Sequence, residues 1–338
     1  MNNKALQGKR VFVTGADGFI GSHLTEHLVR AGADVTALAA YNSFDANGWL
    51  DDLEPDIRDQ VRIIRGDVRD AAFTMREIRG QDMVFHLAAL IAIPHSYVAA
   101  QSYVDVNVTG TLNILEAART ANCERVIHTS TSEVYGTAQF TPITEQHPLQ
   151  GQSPYAASKI GADMMAEAYA RSHGLPVMIL RPFNTYGPRQ SERAVIPTVI
   201  RQALDPACDE IRLGSLDPKR DFNFVGDTAQ AFLAMAVTDG LETGSPYNTG
   251  TGVAVSIAEI VAEIKSTTGS TKPVVTEDAR KRPENSEVGL LLADNGRLRD
   301  TTDWQPETDL ADGLAKTVSW WQRRLQAGLV RPDRGYAT

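Results

Sequence analysis

The sequence contains only two cysteines among 338 residues. Cys123 and Cys208 each stand alone, with no histidine or second cysteine at the spacing of a metal-ligand set. Neither a disulfide framework nor a zinc site is therefore predicted, and we expect no bound metal. Both cysteines are expected to be small buried hydrophobic residues.

The sequence also lacks a long apolar run and an excess of positive charge. The longest apolar segment, residues 87–93, is much shorter than the roughly 18 residues of a membrane helix, and the first ten residues have no signal-peptide core. The 33 basic residues are outnumbered by 42 acidic ones, which gives a net charge of -9 and no basic surface typical of nucleic-acid binding. We expect a cytoplasmic protein with no membrane or nucleic-acid partner.

Hydrophobic residues make up 42% of the chain and form short β-branched runs that alternate with helical patterns. Three helical patterns end near Gly32, Asn122 and Gly174, as helices often do at glycine or asparagine. The alternation predicts an α/β fold with a doubly wound, Rossmann-type parallel sheet, whose ligand crevice lies at the carboxyl ends of the strands. The predicted strands cover residues 11–14, 35–38, 61–64, 83–85, 126–128 and 177–180.

The composition of the sequence changes at about Phe183. Longer loops that contain proline, glycine and arginine then separate helical patterns at residues 257–264 and 310–321. We interpret residues 1–182 as a dinucleotide-binding Rossmann domain and residues 183–330 as a smaller α/β substrate lobe. Segments near residues 222–250 are expected to fold back onto the first domain.

A glycine-rich segment directly follows the first predicted strand. Its three glycines permit a tight turn, close approach of the backbone to a pyrophosphate, and close packing of helix on strand. The N-terminus of the helix that follows offers unpaired N–H groups to phosphates. We therefore predict a dinucleotide site at Gly15, Asp17, Gly18, Phe19, Ile20 and Gly21.

Tyr155 and Lys159 are four residues apart, which places both side chains on one face of a predicted helix. An ammonium group beside a phenol favours the phenolate and lowers its pKa, so Tyr155 is a candidate base near neutral pH. Thr131 follows the strand at residues 126–128, where its hydroxyl could bond the substrate hydroxyl that is oxidised. These three residues are predicted to be catalytic, and Tyr155 and Lys159 are also predicted to contact the cofactor.

Together these motifs resemble the extended branch of the short-chain dehydrogenase/reductase superfamily, whose members modify sugar nucleotides. The GxxGxxG spacing is similar to the superfamily's cofactor loop, and Thr131, Tyr155 and Lys159 are similar to its catalytic triad. The resemblance covers roughly residues 8–325 and implies a nicotinamide cofactor and a nucleotide-sugar substrate. It also implies a homodimer, in which residues 108–118 and 158–169 are candidate packing helices.

The resemblance implies further cofactor contacts beyond the glycine-rich loop. Asp67 and Val68 resemble the pair that contacts adenine. Leu87, Ala88 and Ala89 resemble the loop that runs along the cofactor.

The acid that would bind the adenosine ribose is missing at the end of the second predicted strand. Neither an acid nor an arginine occurs there, and Asn42 and Ser43 are the residues that could bond the ribose instead. We expect NAD because no nearby cation balances the 2′-phosphate of NADP, which stays the alternative.

A carboxylate beside the triad narrows the set of reactions that the resemblance allows. Sugar-nucleotide 4-epimerases usually carry small hydroxyl residues where Glu133 stands, because their reaction needs no second base. Ser132 and Glu133 resemble the pair in some NDP-sugar 4,6-dehydratases, GDP-mannose dehydratases among them, where the glutamate removes the proton at carbon 5. UDP-glucuronate decarboxylases have a similar pair. Many dehydratases have an aspartate in place of Ser132 to protonate the leaving hydroxyl, so the source of that proton stays open.

The resemblance also implies substrate contacts. Asn184 and Arg189 lie in a segment similar to the family's diphosphate contact, and Arg220 and Arg282 resemble its basic contacts to the nucleotide. His95 follows the fourth predicted strand, over the expected crevice.

Three segments, at residues 90–97, 129–140 and 282–288, are most similar to the NAD-dependent 4,6-dehydratases of the legionaminic-acid pathway. The predicted function is 4,6-dehydration of UDP- or GDP-N-acetylglucosamine. UDP-glucuronate decarboxylase and NDP-sugar 4-epimerase are the alternatives.

Overall fold

The computed structural model describes residues 3–277 and 288–330 of the chain. Short 3-10 helices cover Asn3–Leu6, Gly48–Asp52 and Ser132–Tyr135, and a π-helix covers Val104–Thr109. The strands in these two ranges are β1 (Arg10–Thr14), β2 (Asp34–Ala40), β3 (Val61–Gly66), β4 (Met83–His86), β5 (Arg125–Thr129), β6 (Val177–Pro182), β7 (Asn184–Tyr186), β8 (Ile211–Leu213), β9 (Lys219–Phe224), β10 (Pro246–Thr249), β11 (Ala254–Ser256), β12 (Val274–Thr276) and β13 (Leu290–Leu291). The α-helices are α1 (Phe19–Arg30), α2 (Pro55–Arg58), α3 (Ala71–Ile78), α4 (Ile93–Ser96), α5 (Ala100–Tyr103), α6 (Gly110–Ala121), α7 (Pro154–His173), α8 (Val195–Leu204), α9 (Val225–Val237), α10 (Ile257–Thr268), α11 (Gly296–Thr301) and α12 (Leu310–Gln326).

Seven strands form one parallel sheet in the order β10-β6-β5-β4-β1-β2-β3. The predicted doubly wound parallel sheet is confirmed, and each of the six predicted strands lies within β1 to β6. The order reverses between β1 and β4, and a ligand crevice forms where neighbouring strands send their connections to opposite faces. The loops that follow β1, β4, β5 and β6 therefore share one edge of the sheet.

Helices cover both faces of this sheet. Leu24 and Leu28 of α1 pack with Phe232 of α9 on one face, and residues of α3, α6 and α7 pack on the other, among them Ile114 and Ala166. Because both faces are buried, the central strands are largely apolar instead of alternating with polar residues. The edge strand β3 differs, since it contains Arg62 and Arg65.

The later part of the chain forms a second, smaller α/β lobe. Strand β9 pairs with β7, β11 and β13, and β8 pairs with β12. Side chains of α8, α10 and α12 pack together in a separate core that includes Ile200, Ile260 and Leu314. Helix α9 and strand β10 instead lie with the large sheet. The exact boundary between the lobes stays a prediction.

The sequence patterns predicted α10 and α12 but not α8 or α9. Helix α9 is buried on nearly all sides, so it has no polar face and no helical period. Helix α8 contains Pro197 in its first turn, where the missing N–H breaks no helical hydrogen bond. Within the two described ranges, no helix combines the length and apolar composition required to cross a bilayer.

Candidate active site

The glycine-rich loop between β1 and α1 packs tightly against its own backbone. A Cβ on Gly21 would lie 2.0 Å from the carbonyl oxygen of Gly15, and one on Gly15 would lie 2.7 Å from the backbone nitrogen of Ala88. Gly15 also has a φ of +65°, which favours glycine. Gly18, the N-cap of α1, makes no side-chain capping bond. No side chain in the described part of the chain caps the first-turn N–H groups, which leaves them open to an anion.

A second loop, after β4, lies directly against the glycine-rich loop. The backbone N–H groups of Leu87 and Ala88 donate to the hydroxyl of Thr14, each at 3.1 Å. That hydroxyl also lies 2.8 Å from Nδ1 of His86. Because the oxygen already accepts twice, its own proton is the one that bonds the histidine. Two segments predicted to bind the cofactor, residues 15–21 and 87–89, thus lie side by side.

At the end of β2 the side chain of Asn42 is used by its own loop. Its amide nitrogen donates to the carbonyl oxygens of Ala40 and Ala46, and its oxygen accepts from the backbone of Phe44 and Ala46. Ser43 is exposed. The predicted ribose contacts of these two residues stay predictions, while the visible role of Asn42 is to shape the loop.

The predicted adenine contacts follow β3. Val68 is buried and packs beneath Gly110. The Asp67 carboxylate pairs with Arg69, and hydrogen bonds from that guanidinium hold the pKa of Asp67 below its usual value.

Tyr155 and Lys159 lie in the first two turns of α7 and are both buried. Nζ of Lys159 donates to the carbonyl oxygen of Thr129 at 2.5 Å, and burial lowers the pKa of Lys159 to about 8. Burial raises the pKa of Tyr155, a hydrogen bond with Thr131 opposes that rise, and the charge of Glu133 adds to it. The expected lowering of the Tyr155 pKa is therefore wrong for this arrangement, because burial and the negative charge of Glu133 outweigh the hydrogen bond with Thr131. The Lys159 ammonium is directed at the carbonyl oxygen of Thr129 instead.

The segment after β5 holds the predicted extra carboxylate. Thr131 is the N-cap of the 3-10 helix Ser132–Tyr135, and its hydroxyl accepts from the backbone nitrogen of Glu133 at 3.2 Å. Ser132 is buried, while Glu133 is half-buried. The negative charge of Glu133 raises the pKa of Tyr155.

A buried network that the sequence analysis missed lies beneath these residues. Asp163, two turns after Tyr155 on α7, accepts from Nε and Nη2 of Arg181 at 3.1 and 2.9 Å and from the hydroxyl of Ser130 at 2.8 Å. Arg181 also donates to the hydroxyl of Tyr135 at 3.0 Å. The spacing of Tyr155, Lys159 and Asp163, at i, i+4 and i+8, was the available signal, since it puts all three on one helix face.

Two predicted substrate residues have buried polar atoms without a hydrogen-bond partner among the described residues. These atoms are Oδ1 of Asn184 and Nη1 of Arg189. Arg189 also has a φ of +68°, and its Nη2 donates to Glu26 of α1 at 3.2 Å. Unsatisfied buried groups and a left-handed backbone are unfavourable, and both occur often where a ligand binds.

The other predicted substrate residues are less closely linked to the reacting groups. His95 is exposed on α4, but its ring lies 6.2 Å from that of Tyr103, which lies 6.3 Å from the ring of Tyr155. Arg220 is buried in β9 and donates to the carbonyl oxygen of Lys219 at 3.0 Å. Arg282 lies outside the described residues.

The fold and these motifs match a known family. A family model described as GDP-mannose 4,6 dehydratase matches residues 12–317. The chain belongs to this family of NDP-sugar dehydratases and epimerases. It is therefore an enzyme of the short-chain dehydrogenase/reductase superfamily, as the sequence motifs indicated.

Relatives in this family include both dehydratases and epimerases. The chain is 35% identical to a dTDP-glucose 4,6-dehydratase of Streptomyces griseus, over 94% of this chain and 98% of the relative. It is 33% identical to a UDP-glucose 4-epimerase of Mycolicibacterium smegmatis, over 94% of this chain and 100% of the relative.

Solved structures of the family are similar over almost the whole chain. The dTDP-glucose 4,6-dehydratase DesIV of Streptomyces venezuelae, with NAD and TYD bound, has a TM-score of 0.82 at 32% identity and covers 94% of this chain and 98% of its own. A UDP-N-acetylglucosamine 4-epimerase of Methanobrevibacter ruminantium, in complex with UDP-N-acetylmuramic acid, has a TM-score of 0.84 at 30% identity, over 94% of this chain and 99% of that chain.

Proposed function

We propose that this protein is an NDP-hexosamine 4,6-dehydratase that converts UDP-N-acetylglucosamine, or its GDP counterpart, to the 4-keto-6-deoxy sugar. The observation that carries the proposal is Glu133, a half-buried residue whose backbone N–H donates to the hydroxyl of Thr131 and whose charge raises the pKa of Tyr155. An epimerase that oxidises and re-reduces carbon 4 needs only one base, whereas dehydration needs a second. The hexosamine is proposed from the resemblance of residues 90–97 and 129–140 to dehydratases of the legionaminic-acid pathway.

NAD is the proposed cofactor, and a cytoplasmic homodimer is the proposed working form. The glycine-rich loop fits a dinucleotide because a Cβ on Gly15 or Gly21 would clash with neighbouring backbone. The N-terminus of α1 also has no side-chain cap among residues 3–277 and 288–330. Bound NAD would accept and later return the hydride. Related structures such as that of DesIV hold NAD.

In the proposed reaction Tyr155 takes the proton of the 4-hydroxyl as hydride leaves carbon 4. Thr131 positions that hydroxyl, and the positive charge of Lys159 would act against the rise that burial causes in the pKa of Tyr155. Glu133 then removes the acidified proton at carbon 5, and the hydroxyl at carbon 6 leaves as water. Bound NAD would supply the hydride that carbon 6 takes up. The protons taken by Tyr155 and Glu133 balance the proton that leaves with water and the proton that returns to carbon 5.

The test is to incubate the purified protein with NAD and no added reductant, in separate reactions with five substrates. They are UDP-N-acetylglucosamine, GDP-N-acetylglucosamine, UDP-glucose, GDP-mannose and UDP-glucuronate. Loss of one water from an N-acetylglucosamine nucleotide, measured by mass spectrometry, is the expected result. An isomer of unchanged mass would show an epimerase, and loss of carbon dioxide from UDP-glucuronate would show a decarboxylase.

A variant separates the two proton transfers. Glu133→Gln should still oxidise carbon 4, so reduced nicotinamide accumulates, while water loss slows by about 10²- to 10⁴-fold. In deuterated water the wild-type product should carry deuterium at carbon 5. Water loss at the wild-type rate in Glu133→Gln would remove Glu133 from the mechanism.

A further inference from the structure

The end of β2 has no acidic residue of its own, yet the structure places a carboxylate there. Oδ2 of Asp17, in the glycine-rich loop, accepts from the backbone nitrogen of Ala40 at 3.0 Å. Ala40 is the last residue of β2. In dinucleotide-binding sheets an acid at this strand end bonds the 2′-hydroxyl of the adenosine ribose. Asp17 thus supplies from another loop the group that the strand lacks.

The structure also brings a cation to this strand end that the sequence analysis did not foresee. Arg65 of β3 is the register partner of Ala39 on β2. This proximity could not be predicted from the sequence, because Ala39 and Arg65 are neighbours only across the sheet. An arginine in this region is what accommodates the 2′-phosphate of NADP.

The guanidinium of Arg65 is already engaged by the loop that follows β2. It forms an ion pair with the carboxylate of Asp45, donates from Nη2 to the carbonyl oxygen of Asp45 at 2.9 Å, and donates from Nε to Oδ1 of Asn47 at 2.9 Å. Asp45 holds a φ of +58°, a conformation that aspartate tolerates better than most residues. The loop therefore wraps around the cation and offers it a carboxylate.

The charges at this strand end favour a neutral group over an anion. Asp17, Asp45 and Arg65 together carry one net negative charge. A ribose 2′-hydroxyl can donate to the Asp17 carboxylate. A phosphate monoester carries about -1.5 to -2 charges at neutral pH. It would be repelled by the Asp17 carboxylate, and the charge of Arg65 is already neutralised by Asp45.

We propose that Asp17 and Asp45 make this enzyme selective for NAD over NADP, Asp17 by accepting from the ribose and Asp45 by withholding Arg65 from a 2′-phosphate. The inference rests on the proposed function in taking NAD as the cofactor. It adds the residues that enforce that choice.

The experiment measures binding of NADH and NADPH separately, by nicotinamide fluorescence, without any sugar substrate. Wild type should bind NADH more tightly. Asp45→Ala should tighten NADPH binding by about tenfold, the size expected for one unpaired charge near a surface, and leave NADH binding unchanged. Asp17→Asn, which keeps the acceptor for Ala40, should weaken NADH binding and strengthen NADPH binding.

Two further variants sharpen the result. Asp59→Ala removes an exposed charge close in sequence that has no contact with Arg65 among the described residues, and it should leave the NADPH-to-NADH ratio at the wild-type value. Adding Arg65→Ala to Asp45→Ala should cancel the gain in NADPH binding. Equal effects of Asp45→Ala and Asp59→Ala, or a gain that survives loss of Arg65, would overturn the proposal.

The outcomes also separate this inference from the proposed function. Selective binding of NADH with the expected variant effects supports the inference even if no substrate loses water, in which case only the dehydratase proposal fails. Wild-type binding of NADPH as tight as that of NADH overturns the inference while leaving dehydration intact. Binding of neither nucleotide overturns both.

Discussion

The substitution Asp163→Asn tests whether the buried ion pair beneath the site holds the structure together. Asp163 and Arg181 have 0% and 2% of their side chains exposed, and the two groups make two hydrogen bonds to each other. Burial raises the pKa of Asp163, but neighbouring His128, Arg181 and Lys159 outweigh it, and the pKa lies below its ordinary value. The carboxylate is therefore ionised at neutral pH.

Asparagine keeps the shape of Asp163 and removes its charge, which leaves Arg181 buried without a counterion. Loss of one partner of a buried pair costs about 3 to 5 kcal/mol, so the free energy of unfolding should fall by that amount at pH 7. Because the folded pKa of Asp163 is lowered, the contribution is fully present above about pH 4 and is lost only as the pH falls further. Replacing both residues, with Asp163→Leu and Arg181→Met, should cost less than the single change.

Urea unfolding of the three proteins provides the measurement, with an unchanged m value as the condition for comparison. The matched control is Glu167→Gln on the same helix, which breaks an ion pair with Arg171 whose side chain is 78% exposed. That control should cost less than about 1 kcal/mol. A similar small loss for Asp163→Asn would refute the assignment of stability to the buried pair.

Three further predictions concern the active site and its surroundings. Lys159 has a pKa of about 8 and supports Tyr155 only as an ammonium ion, so kcat/KM should fall as the pH rises through that value. Lys159→Arg should move this fall to higher pH. A flat pH–rate profile would contradict the prediction. Gly21→Ala, whose Cβ would lie 2.0 Å from the Gly15 oxygen, should weaken NADH binding at least about tenfold in a fluorescence titration. Gly174→Ala should bind NADH normally despite the strain of its positive φ, because its Cβ would meet no other described residue within 4 Å apart from its chain neighbours. The Arg324 guanidinium lies 4.9 Å from the ring of Trp49 and 5.0 Å from that of Trp320. Arg324→Ala should therefore lower the free energy of unfolding by about 1 kcal/mol and expose residues 41–53, which include Trp49, to proteolysis. Unchanged proteolysis would show that the contact does not hold this loop.

The sequence predicted the large sheet and the cofactor loop because their signals are local. Runs of β-branched residues and the spacing of Gly15, Gly18 and Gly21 can be recognised within a few residues of chain. Tyr155 and Lys159 are likewise related by one helical turn. Helix α9 lacked such a signal because it is buried on almost all sides.

Groups that meet only through the fold could not be predicted in this way. The bond from Ala40 to Asp17 joins residues 23 apart, and Arg65 reaches Asp45 only because β2 and β3 are neighbours. The direction of the Tyr155 pKa was missed for a related reason. The spacing to Lys159 predicts a nearby positive charge, but the pKa of Tyr155 is raised by burial and by the charge of Glu133. Both depend on packing from the whole chain.

The buried network fixes the position of Glu133 relative to Tyr155. Tyr135, in the same 3-10 helix as Glu133, bonds both Arg181 and Asn248, and Arg181 pairs with Asp163 on the helix that carries Tyr155. The two candidate bases are thus attached to one buried ion pair before any sugar binds. Two proton transfers at adjacent carbons need this preorganisation, because a small displacement of either base slows its step. A loosened pair in Asp163→Asn should therefore lower kcat more than it raises KM.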